Sequence, residues 1–162
     1  MNGGAPEMIQ VYWLEPIRRR ELLSAILGAL AGAARVAVEG EPEALQKLSH
    51  FVPETARDPH PPFDRQYKHD SAMVVMPLES EREAHDVAAL LMPAGRLLPG
   101  VEAIQVEKRG SVEFMAGDAF HWQCVSVGDG VPVVLLRDLK RKGIIRGFYS
   151  PMEARAHFRL ID

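Results

Sequence analysis

Cysteine is almost missing from this chain: Cys124 stands alone among 162 residues. One thiol cannot close an intramolecular disulfide, so nothing in the composition points to an oxidising compartment. The N-terminus has no basic segment followed by an apolar run, as a signal peptide would. The most apolar helical stretch, "LLSAILGALAGAA", is too short and too rich in Gly and Ala to span a bilayer. A cytoplasmic location, with no membrane contact, is the expectation. Charge of one sign is lacking too, with a net charge of −3 and so no overall attraction to nucleic acid. From Arg137 onward, however, Lys and Arg outnumber Asp and Glu seven to three, which predicts a local basic surface. The sequence carries no Gly-rich phosphate loop, G-x-S-x-G elbow, C-x-x-C or H-E-x-x-H. "GDG" at 128–130 precedes a helix but lacks the Lys and Ser/Thr of a P-loop. No cofactor is implied.

What is present reads as one α+β domain over residues 8–162 behind a disordered lead-in at 1–7. "MIQVYWL" alternates like a strand. Pro16 opens a helix whose Leu22, Leu23, Ile26, Leu27 and Leu30 form one apolar stripe. "RVAVEG" (35–40) is a second strand, and Pro42 opens a short helix, "PEALQKL". "SAMVVMPLE" (71–79) is a third strand, and Ser80 with Glu83 forms a capping box for the helix "EREAHDVAALLM". A meander follows: "VEAIQVEK" turns at Arg109-Gly110 into "SVEFMAG", and "AFHWQCVSV" returns. Asp129 is placed to cap the helix within "PVVLLRDLKRK", which Gly143 ends as a C′ glycine. "IIRGFY" (144–149) is the last clear strand. In "SPMEARAHFRLID", Ser150, Pro151 and Glu153 signal a helix, whereas Met152, Ala154, Ala156, Phe158 and Leu160 alternate like a strand. Two βαβ elements predict a ferredoxin-like βαβ…βαβ mixed sheet, extended by the meander, with helices mainly on one face.

"GDAFHWQCVSVG" (117–128) places His121 and Cys124 three residues apart. In a regular strand the two side chains point to opposite faces, which forbids a thiolate–imidazole pair. Phe120, Trp122 and Cys124 then read as core, with His121 and Gln123 on the other face. Only a bulge anchored at Gly117 or Gly128 would bring His121 and Cys124 together.

The 49–70 segment, "SHFVPETARDPHPPFDRQYKHD", shows neither helical nor strand period, and a connection this long is usually functional or disordered. It gathers His50, His60 and His69 with Asp58, Asp64 and Asp70, and Phe63 and Tyr67 offer apolar anchors. Its ligand spacing matches no metal motif, so no metal is expected. Glu81 and His85 share a helix face and read as a solvated first turn. Lys140, Arg141 and Lys142 oppose the negative end of their helix dipole. Arg18, Arg19 and Arg20 crowd the positive end of theirs, at about 0.3–1 kcal/mol each, offset in part by Glu15 and Glu21. That placement suits a phosphate or carboxylate ligand. Gly28 and Gly32, with Ala25, Ala29 and Ala33, allow close packing on the sheet or against a second copy of the chain.

The first functional reading is a non-enzymatic module that binds a ligand or a protein, with a homodimer as one form. Its candidate ligand residues are Arg18, Arg19, Arg20, His50, His60, His69, Asp64 and Tyr67. The alternative is a small hydrolase- or transferase-type enzyme, with a histidine of the 49–70 segment as acid/base and Arg18–Arg20 holding an anionic substrate. Nucleic-acid contact through the basic tail is a third, less favoured reading.

Overall fold

The computed structural model describes residues 11–49 and 71–159. In chain order its elements are β1 (Tyr12–Pro16), α1 (Arg19–Leu30), β2 (Ala34–Gly40), α2 (Pro42–Ser49), β3 (Ala72–Leu78), α3 (Glu81–Leu91) and β4 (Val101–Lys108). Then come β5 (Ser111–Ala116), a short 3-10 turn (Asp118–Phe120), β6 (Val125–Val127), α4 (Val133–Arg141), β7 (Ile145–Tyr149) and α5 (Pro151–Arg159). The 1–7 lead-in and residues 50–70 lie outside the described residues.

Local chemistry sets most of the boundaries. Ser80 Oγ accepts from Glu83 N at 3.2 Å, as the capping box predicts, while Glu83 Oε2 reaches back to accept from Glu79 N at 3.2 Å, one residue before the N-cap. A second box resolves the ambiguous C-terminal stretch in favour of helix. Ser150 Oγ accepts from Glu153 N, and Glu153 Oε1 accepts from Ser150 N, both at 3.3 Å. Arg109 (φ 55°) and Gly110 (φ 82°) make the tight turn between β4 and β5, and Gly143 (φ 72°) follows the end of α4.

Three local expectations are corrected. Pro16 ends β1 rather than opening α1, because it still pairs with Ile145 across the sheet. Gly32 lies beyond the end of α1 with φ 108°, so the small-residue stripe expected to join it to Gly28 is broken. Asp129 does not cap α4, whose N-cap position is Pro132 and carries no side-chain cap.

The seven strands form one sheet in the order β3-β2-β4-β5-β6-β1-β7. All its pairings are antiparallel, which corrects the expected mixed sheet. The cause lies in the crossovers. β3 and β4 run in the same direction but β2 fills the gap between them, and β1 likewise separates β6 from β7. Strands joined through α1, α3 or α4 are therefore not neighbours, whereas β2 and β3, joined through α2, pair directly and antiparallel. β1 and β2, expected to form a βαβ unit, stand with β4, β5 and β6 between them.

Alternation gives the sheet two unlike faces. The row Met76, Val36, Val106, Phe114, Val127 and Tyr12 belongs to the main core. Leu22, Leu23, Ile26, Leu27 and Leu30 of α1 pack into that core, together with buried residues of α2, α3 and α4. The opposite face carries the row Val75, Ala37, Gln105, Met115, Ser126, Trp13 and Tyr149. α5 lies on this second face, at its β1–β7 end, where His157 reaches Glu15. Glu39, Glu107 and Glu113 are also buried, so polar groups are sequestered away from the main core.

Candidate functional site

The stretch that the strand pattern assigned to β6 begins instead with a left-handed turn. Asp118 (φ 46°), Ala119 (φ 54°) and Phe120 (φ 64°) are three successive non-glycine residues at positive φ. Each such residue costs about 1–2 kcal/mol from crowding of Cβ against its carbonyl. Several tertiary contacts hold the chain there. The Phe120 ring is buried, at a centroid distance of 6.2 Å from Phe114. Arg19 Nε donates to Phe120 O at 3.1 Å. Gly117 N donates to Cys124 O at 2.9 Å, closing the base of the loop, and Cys124 N donates to His121 O at 2.8 Å.

This turn overturns the separation of His121 and Cys124 that a regular strand requires. One donor atom from each of Asp118, His121 and Cys124 lies within 4.8 Å of the others, the only such group among the described residues. Asp118 is exposed, and His121 and Cys124 are half-buried. Cys124 is thus not the core residue that alternation implied, although Phe120 is. Burial pushes the Cys124 thiol above its ordinary value, and the nearby Asp118 carboxylate pushes in the same direction. His121 Nδ1 accepts from Gln123 N at 3.2 Å.

A second constellation grows from β1. Leu14 faces the main core, so Glu15 must face the other way, and there its carboxylate is buried. Glu15 Oε2 lies 2.7 Å from His157 Nε2 and accepts from Tyr149 OH at 3.3 Å. Arg146 Nε approaches Oε1 at 3.6 Å. Gly147 pairs with Glu15 across the sheet, and a Cβ added at Gly147 would meet the Tyr149 hydroxyl at 2.5 Å. Only glycine leaves the phenol room to reach the carboxylate. Partial burial and the adjacent Glu15 raise the Tyr149 pKa.

Aromatic rings join the two constellations. Tyr149 stacks on His157 at 4.3 Å, His157 meets Phe158 at 5.4 Å, and Phe158 meets Trp122 edge-on at 5.4 Å. Trp122 in turn lies 5.7 Å from His121. The β6–β1–β7 end of the sheet therefore carries a half-buried band of rings, with a His–Glu pair at one side and a His–Cys–Asp group at the other.

Two residues of the arginine triplet have different surroundings. Arg19 braces the left-handed turn, while Arg20 lines an open groove of about 680 Å³ with Glu21, Ser24, Glu81 and His85. Two carboxylates beside Arg20 make that groove a poor anion site. His85, expected to be merely solvated, shares a 2.9 Å hydrogen bond with Ser24 Oγ across α1 and α3. A Cβ at Gly28 would meet nothing within 4 Å, so close packing on the sheet does not explain that glycine. His50, His60, His69, Asp64 and Tyr67 lie outside the described residues.

Sequence reasoning missed Asp118 and the Glu15, Tyr149 and His157 group. For the first a signal existed, since Gly117-Asp118 interrupts the strand alternation with two turn-forming residues. For the second there was none, because its members are separated by 134 and 142 positions. Set against known proteins, the chain matches no family model, no curated protein and no solved structure.

Proposed function

We propose that this protein is a binding module, with its ligand surface at the β6–β1–β7 end of the sheet. One observation carries the reading: a continuous band of half-buried rings lies there between the two polar groups. A cysteine nucleophile works as a thiolate, stabilised by a cation or a helix N-terminus. Cys124 instead meets burial and a carboxylate, both of which keep its proton on. The half-exposed rings of Trp122, Tyr149, His157 and Phe158 are the kind of surface that supplies contact area at low entropic cost.

The enzymatic alternative, with Arg18–Arg20 gripping an anionic substrate, draws less support because Arg19 is committed to Phe120 O. A small anionic ligand, a protein partner and a second copy of the chain remain the proposed partner classes, and the proposed location is cytoplasmic. Among the described residues, no helix is long and apolar enough to cross a membrane. We also retain the ferredoxin-like kinship in a narrower form. It is supported by two split crossovers, β3-α3-β4 around β2 and β6-α4-β7 around β1.

Alkylation of Cys124 by iodoacetamide at neutral pH, on the metal-free full chain, tests the reading. The expected rate is no faster than that of free cysteine and unchanged within about twofold in His121→Ala. A rate above that of free cysteine, falling when His121 is removed, would mean an activated nucleophile and would overturn the module in favour of an enzyme.

A further inference from the structure

We propose that Asp118, His121 and Cys124 together bind a divalent transition-metal ion of the zinc class. The inference deepens the binding-module reading by naming a ligand for one side of the same surface.

Three features of the turn lead to it. The donors are a carboxylate, an imidazole and a thiol, the set that zinc accepts and that magnesium or calcium does not select. Their mutual separations, none above 4.8 Å, are of the order of the roughly 3.3–3.8 Å between ligand atoms of a tetrahedral zinc ion with its usual bond lengths. The backbone itself is the third feature. The D-x-x-H-x-x-C spacing brings its donors together only because residues 118–120 are left-handed, and Arg19 and the buried Phe120 keep them so. Strained backbone of this kind gathers at ligand sites.

Binding releases the Cys124 proton to solvent and leaves the fourth position for water or an incoming ligand, as in open zinc sites. It also breaks the Gln123 N contact to His121 Nδ1. Either the metal takes the Nδ1 lone pair, or Nδ1 takes the proton when Nε2 ligates.

Cobalt(II), added to the chelator-treated full chain, is the probe, because a thiolate–cobalt bond gives a charge-transfer band that carboxylate and imidazole do not. We expect one equivalent to bind with this band, zinc to bleach it, and the Gln123 amide resonance to shift when zinc is added. Cys124→Ser should abolish the band, and His121→Ala and Asp118→Asn should each weaken cobalt binding about 10- to 100-fold. Binding should persist when His50, His60 and His69 are all changed to Ala. Should Cys124→Ser fail to fold, which far-ultraviolet circular dichroism reports, the half-exposed His121 and exposed Asp118 variants carry the test. The proposal is overturned if cobalt gives no thiolate band in the native chain. It is also overturned if the band is as strong in His121→Ala and Asp118→Asn, or if the triple histidine variant loses it. Slow alkylation of the metal-free thiol without metal binding would sink this inference alone, whereas fast alkylation would sink the module reading.

Discussion

Removing the His157 imidazole leaves the Glu15 carboxylate, with 8% of its side-chain surface exposed, without its shortest partner. Hydrogen bonds to charged groups contribute about 1.5–3 kcal/mol, and the 2.7 Å contact between His157 Nε2 and Glu15 Oε2 is of that kind. The stacked Tyr149–His157 pair adds about 0.5–1.5 kcal/mol. Tyr149 OH and Arg146 remain to share the carboxylate, which holds the loss for His157→Ala to about 2–3 kcal/mol. At about 2–4 °C per kcal/mol for a chain of this size, the melting temperature should fall by about 4–12 °C. Urea denaturation supplies the free energy, and a double-mutant cycle with Glu15→Gln isolates the pair, with an expected coupling of at least about 1 kcal/mol. Since α5 touches the sheet at β1 and β7, proteolysis within α5 should quicken in the variant. A loss below about 0.5 kcal/mol with coupling near zero would refute the view that this pair docks α5.

Two further outcomes follow from the same surface. Ala119→Gly should raise stability by up to about 1 kcal/mol, because glycine accepts φ 54° without the Cβ penalty; a fall in melting temperature would mean that the turn is not left-handed. Tyr149 and Cys124 both have raised pKa values in the fold, from ordinary values of 10.0 and 9.0. The folded state therefore holds these protons longer than the unfolded chain, and stability drops as pH rises beyond the ordinary values of the two groups. Tyr149→Phe should flatten the alkaline part of that decline in a series of denaturant titrations, and an unchanged slope would count against the Glu15–Tyr149 contact.

Sequence alone determined what is local. The Ser80 and Glu83 box, the Arg109-Gly110 turn, the glycine after α4 and the leucine stripe of α1 each depend on residues within a turn or two. Their geometry follows from capping, φ preference and periodicity. Alternation, with its period of two, sets only which residues of a strand share a face. It does not choose a strand's neighbours, so the insertion of β1 between β6 and β7 was beyond its reach. The same limit hid the role of Glu15, which reads as an offset to nearby arginines and is instead buried beneath a helix far along the chain. The His121–Cys124 question was decided against the local pattern. No propensity favours three left-handed residues in Asp-Ala-Phe. Burial of Phe120 against Phe114 and the Arg19 brace outweigh that preference, and these contacts exist only once distant elements have packed.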